Sequence, residues 1–212
     1  MKFDALYEMF SDEAVLEIEA IRLAWKGKKN AIPVMLHRWE NEDKILKLKG
    51  GLYVFSKKYR KKEIFEPFIA YLIKNPSYIS LEKAMEYYQL IPDAIFTFTS
   101  VTPRKRPALF ETRVGNFKYV SIKKEYFWGY TVIESNDLKG YIAEPEKALL
   151  DNFYYSKGEI DMNYLKEMRF QNLGILDRTK LLAYAERFDK SRIYRAVNAF
   201  SRLLEIESYH ER

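Results

Sequence analysis

Cysteine is absent from the chain, which removes disulfides, thiolate zinc sites, iron–sulfur clusters and any cysteine nucleophile at once. Histidine is almost as scarce: His37 and His210 are the two imidazoles, too far apart in sequence to suggest a shared metal. Glycine is sparse, and no glycine-rich phosphate loop can be drawn from the 8 residues present. The longest apolar run, Phe68 to Ile73, is far shorter than the roughly 20 residues that a membrane-spanning helix needs. The opening Met1-Lys2-Phe3-Asp4-Ala5 turns acidic at once and lacks the apolar stretch of an export signal. These absences predict a cytoplasmic protein with no cofactor, no metal site and no membrane contact.

What is abundant is apolar and aromatic surface. With 48% hydrophobic residues, including 17 tyrosines and 14 phenylalanines, the 212-residue chain can bury a core without staples. Charge is unevenly placed. Residues 1–62 hold 14 Lys/Arg against 9 Asp/Glu, so nearly all of the net +6 sits on the first part of the chain. A polyanionic partner should meet that end.

The first sixty residues read as three helices and a hairpin. Leu6, Met9 and Phe10 share one helical face. Ser11, followed by Asp12 and Glu13, is a plausible cap for a second helix through Val15, Ile18, Ile21, Leu23 and Trp25 to Gly27. After the basic turn Lys26-Gly27-Lys28-Lys29-Asn30, Ile32, Met35, Leu36 and Trp39 recur at helical spacing and form one buried stripe. Lys44 to Lys49 and Leu52 to Phe55 flank Gly50-Gly51 as two short strands. Three helices followed by such a hairpin predict a winged helix-turn-helix.

Composition shifts at Lys57 to Lys62, which places a domain boundary there: 1–60 for the winged helix and 61–212 for a larger α/β domain. In the second part, a helix from about Ile64 to Lys74 precedes Asn75-Pro76, and Ser80 looks like the cap of a helix through Tyr88. Strands are predicted at Ile95 to Val101, Leu109 to Arg113, Phe117 to Ile122, Gly129 to Ser135 and Gly140 to Ala143. Pro145, with Glu144 and Glu146, opens a further helix. Others follow at Tyr164 to Met168, Thr179 to Phe188 and Ile193 to Glu207. The class is α/β (α+β), a small mixed sheet flanked by helices.

The functional reading follows from the third helix. Opposite its buried stripe stand Val34, His37, Arg38 and Asn41, free to meet base edges in a major groove. Lys28, Lys29 and Asn30 would lie near phosphate at the helix start, and Lys47, Lys49, Lys57 and Lys58 would hold the backbone from the wing. Arg104, Lys105 and Arg106, in a loop bounded by Pro103 and Pro107, offer a second basic contact or simply a solvated turn. The expected partner is double-stranded promoter DNA, although winged helices also serve as protein-binding modules.

Catalytic readings are weaker. Ser80-x-x-Lys83 has the spacing of a serine nucleophile and lysine base, but its companion motifs are missing. Asp93 with Glu144 or Glu146 and Lys147 imitates a carboxylate–lysine metal nuclease site. The plain account is a helix start with Lys147 in solvent. Tyr87-Tyr88, Phe127-Trp128 and Tyr154-Tyr155 suggest base stacking less well than core packing. No catalytic residue is assigned and the chain is expected not to be an enzyme. A metal-dependent nuclease delivered by the winged helix is the alternative.

Several fragments, in order, carry a family resemblance. Leu36-His37-Arg38-Trp39 with Ile45 to Phe55, Asn75-Pro76-Ser77-Tyr78-Ile79-Ser80-Leu81-Glu82-Lys83-Ala84, Thr97 to Arg104, Phe110-Glu111-Thr112 with Gly115-Asn116-Phe117, and Ala143-Glu144-Pro145-Glu146-Lys147-Ala148-Leu149-Leu150-Asp151 resemble the AbiEi family of antitoxins and transcriptional regulators. The resemblance spans about residues 30 to 155. It implies an autoregulating antitoxin of a type IV toxin–antitoxin pair, whose winged helix represses its operon and whose second domain counters a nucleotidyltransferase-like toxin. It gives no ground for assuming a stable complex with that toxin.

Overall fold

The computed structural model describes residues 2–210. Helix α1 (Phe3–Phe10) turns Phe3 and Leu6 inward. Ser11 closes this helix instead of opening the next, its N–H bonding the Tyr7 carbonyl at 2.8 Å. The chain then extends as a two-residue strand, β1 (Leu16–Glu17), before the short helix α2 (Ile18–Ala24). The continuous helix expected from Ser11 does not form, because β1 has a better use. It pairs antiparallel with the hairpin's second strand, Leu16 opposite Tyr53, and satisfies a backbone edge that would otherwise stay open. With the register of α2 reset, Leu23 stands 86% exposed.

A 3₁₀ turn, Lys29–Ala31, leads into α3 (Ile32–Asn41), which has Pro33 in its first turn. The N-cap position of α3 is Ala31, so no side chain caps the helix. Ile32, Leu36 and Trp39 are buried with Phe3, Leu6, Leu16, Ile21, Ile45, Tyr53 and Phe55 in a headpiece core. Strands β2 (Ile45–Lys49) and β3 (Leu52–Phe55) complete the order α1-β1-α2-α3-β2-β3, that of a winged helix. The hairpin turn needs Gly51, whose φ of +82° lies in the left-handed region and whose added Cβ would meet Ile18 Cγ2 at 2.9 Å.

All four residues of β3 are buried because the hairpin lies between two cores. Ile45, Tyr53 and Phe55 face the headpiece, while Leu46, Leu48, Leu52 and Val54 join the core of the following body. The body holds a six-stranded mixed sheet in the order β6-β7-β5-β4-β9-β8, built from β4 (Tyr78–Ile79), β5 (Thr97–Thr102), β6 (Ala108–Glu111), β7 (Asn116–Ser121), β8 (Tyr130–Ser135) and β9 (Leu138–Ala143). Five of these were expected. The sixth, β4, sits inside the sheet, antiparallel to β5 and parallel to β9.

Helix α4 (Glu66–Ile73) packs on β9, β4 and β5. It approaches closely because Gly140 has no side chain; a Cβ there would fall 2.4 Å from Pro67 Cβ. Helices α5 (Leu81–Tyr87) and α6 (Pro145–Tyr155) pack on each other, and α8 (Arg178–Phe188) and α9 (Ser191–His210) enclose α6. Between them α7 (Met162–Glu167) leans on α9. Asp161 and Asp177 cap α7 and α8 by accepting backbone N–H bonds. Among the described residues, no helix is long and apolar enough to cross a membrane.

Candidate nucleic-acid interface

The outward face of α3 carries the side chains singled out from the sequence. Val34 is 71% exposed, and His37, Arg38 and Asn41 are exposed beside it. His37 and Asn41 lie one turn apart with Nε2 and Nδ2 at 3.3 Å, a hydrogen bond that holds the imidazole and the amide side by side. Arg38 lies over the Trp39 ring at 5.9 Å and reaches Glu42 at 3.7 Å. An exposed pair at that separation is weak, so the guanidinium is available to a stronger acceptor. Glu42 also holds Lys44 at 2.8 Å; hydrogen bonding from Lys44 keeps its carboxyl below the ordinary range.

Lys28, Lys29 and Asn30 are exposed in the turn before α3, and Lys47, Lys57 and Lys58 are exposed on and after the hairpin. Lys49 departs from expectation. A bulge between Lys47 and Lys49 turns its amine into the body, where it donates to the Leu72 and Ile73 carbonyls at 3.0 and 2.7 Å. These are among the last carbonyls of α4, which have no acceptor role within the helix. Burial lowers the Lys49 pKa, Glu17 opposes that shift and Arg104 adds to it. The hairpin tip is therefore engaged by the body, and Lys49 is not a free wing contact.

Arg104, Lys105 and Arg106 are exposed in the loop between β5 and β6. Together with Lys49 and Lys74 they line a cleft of about 570 Å³ beside the hairpin tip. Lys74 was not anticipated; its amine donates to the Arg106 carbonyl. Headpiece and body also meet through an exposed ion pair between Asp43 and Arg113.

Neither the Ser80–Lys83 nor the Asp93–Lys147 pairing considered for catalysis appears among the contacts of the described residues; these side chains have other partners. Ser80 precedes α5 without capping it and donates to Asp151 at 2.8 Å, while Lys83 binds Glu86 at 2.5 Å and the Ile95 carbonyl at 2.8 Å. Asp93 pairs with Arg169 at 2.5 Å. Glu144 and Glu146 share Lys180 at 3.4 and 3.2 Å. Burial opposes the charge on Lys180, but the two carboxylates outweigh it and raise the pKa. Among the described residues, no three His, Asp or Glu side chains gather as metal ligands would.

Lys147 was expected in solvent and is completely buried. It bonds Asp151, donates to the Tyr78 hydroxyl at 2.9 Å, and lies 4.9 Å from the Phe188 ring centre and 5.0 Å from that of Trp128. Asp151 also accepts from Tyr78 at 3.0 Å. Burial lowers the Lys147 pKa and raises those of Asp151 and Tyr78. The one hint in the sequence was the four-residue spacing of Lys147 and Asp151 around Ala148-Leu149-Leu150. Of the aromatic pairs, Trp128 is buried while Phe127, Tyr88, Tyr154 and Tyr155 are half-buried, leaving Tyr87 as the exposed ring.

No family model matches the chain, and no curated protein sequence matches it significantly.

Proposed function

We propose that the protein is a DNA-binding transcriptional autoregulator that reads duplex promoter DNA with the outward face of α3. The observation that carries this reading is the division of α3 into a buried stripe, Ile32, Leu36 and Trp39, and an exposed row, Val34, His37, Arg38 and Asn41. A helix anchored on one side and polar on the other, with a hairpin behind it, is what a major groove accepts. Arg38 and the His37–Asn41 pair would meet base edges. Lys28 and Lys29 at one end and Lys47, Lys57 and Lys58 at the other would neutralise phosphates, with Asn30 donating a hydrogen bond beside them, making affinity steeply salt-dependent.

The resemblance to AbiEi proteins supports a further step: an antitoxin countering a nucleotidyltransferase-like toxin encoded beside it. Expression of that neighbour should arrest growth, and co-expression of this chain should relieve the arrest.

Gel-shift titration against DNA from upstream of the gene tests the regulator reading. Arg38→Ala should weaken specific binding by about 1–3 kcal/mol and relax preference locally. Wild-type protein that binds upstream and unrelated duplexes equally at low salt would remove α3 from sequence reading.

A further inference from the structure

The cleft beside the hairpin tip is a second concentration of positive charge, built from parts of the chain distant in sequence. Lys49 comes from β2, Lys74 and Asn75 from the end of α4, and Arg104, Lys105 and Arg106 from the loop after β5. Among the described residues, none of the five cations has a carboxylate within ion-pair distance. Lys49 and Lys74 donate only to backbone carbonyls, which fixes their amines without neutralising them. Glu17 favours the charged form of Lys49, whereas Arg104 acts against the charged form of both lysines. Half-buried Phe110 lines the same space.

We propose that this cleft is a binding site for closely spaced phosphate groups, carried either by a nucleoside polyphosphate or by a nucleic-acid backbone. Five like charges around about 570 Å³ repel one another, and an anion bearing several charges in a small volume relieves that repulsion better than single carboxylates. Two guanidinium forks within three residues suit phosphate oxygens, which accept paired N–H bonds. A ligand here would touch hairpin and body together. The site does not depend on what α3 reads.

Isothermal titration of the intact protein with sodium tripolyphosphate, a nucleoside triphosphate and a short duplex of unrelated sequence tests it at low salt. Arg104 and Arg106 are exposed, so R104E/R106E should keep the wild-type near-UV dichroism and denaturation midpoint. Its affinity for tripolyphosphate or for the duplex should fall at least about tenfold, while Lys157→Glu, on an exposed loop of the body, should leave both unchanged. A nucleoside triphosphate binding more tightly than tripolyphosphate identifies a nucleotide ligand. A duplex that binds in an Arg104- and Arg106-dependent way and displaces tripolyphosphate identifies a nucleic-acid backbone. If R104E/R106E matches wild type for all three probes, or Lys157→Glu loses as much, the site is refuted. Loss of duplex preference on α3 substitution, with tripolyphosphate binding intact, concerns the regulator reading and leaves the cleft standing.

Discussion

Lys147 and Asp151 face each other across one turn of α6, both wholly out of solvent, and share the Tyr78 hydroxyl as a common neighbour. Their burial disfavours each charge separately, pushing the lysine pKa down and the aspartate pKa up. The pair is held by geometry: Ser80 supplies Asp151 with another donor, and three aromatic rings surround the ammonium.

Removing one partner should therefore cost far more than removing both. Lys147→Met or Asp151→Leu alone leaves an uncompensated charge inside the body and should lose about 3–5 kcal/mol. The double variant should recover most of that loss, since a buried ion pair replaced by apolar groups of similar volume is often neutral or better. Urea denaturation of the four proteins measures the coupling. Additive losses would mean that the two residues do not act as a pair.

The two hairpin lysines should separate by role. Lys47 is exposed, whereas Lys49 caps the end of α4. Lys47→Ala should leave stability within about 0.5 kcal/mol of wild type and flatten the salt dependence of duplex binding by about one unit. Lys49→Ala should lower stability by about 1–3 kcal/mol, because two helix-end carbonyls lose a charged donor. Thermal denaturation alongside salt-titrated binding distinguishes them. Equal stability losses would contradict the separation.

The contrast shows what a linear reading reaches. The stripe from Ile32 to Trp39 was legible because helical periodicity records burial directly, and five strands of the body were legible from their β-branched and aromatic runs. β1 and β4 were not. Each has two residues, too few for alternation, and each exists because a neighbouring strand needs a partner. The hairpin reading set both Lys47 and Lys49 toward a DNA backbone, but the bulge turns Lys49 into the body. Lys147 misled for a different reason: Glu144-Pro145-Glu146 is the pattern of an exposed helix start, yet Glu146 and Lys147 are enclosed by elements far away in sequence.

Gly51 should resist substitution even though it lies in a turn. Its positive φ strains any side chain, and a methyl would press on Ile18, whose own N–H bonds the Gly51 carbonyl at 2.8 Å. Gly51→Ala should destabilise by about 1–3 kcal/mol, whereas Gly50→Ala, with open space around its Cα, should cost less. Midpoints of chemical denaturation decide it, and equal losses at the two positions would mean that neither the conformation nor the Ile18 contact matters.

The junction of headpiece and body carries its own pH dependence. Asp43 adopts a left-handed turn conformation, φ +55°, in which aspartate is comparatively at ease, and meets Arg113 from the hairpin after β6. Hydrogen bonding from Arg113 lowers the Asp43 pKa from its ordinary 3.8. Because the folded value lies below the unfolded one, the pair's contribution is fully present above about pH 3.8 and disappears as pH falls through the lower folded value. Both side chains are well exposed, so the contribution is small and salt-sensitive. The difference in urea midpoint between wild type and Arg113→Gln, followed from neutral pH into acid, should stay level and then close below the ordinary aspartate range. A difference that persists unchanged in strong acid would assign the Arg113 contribution to packing instead of to its charge partner.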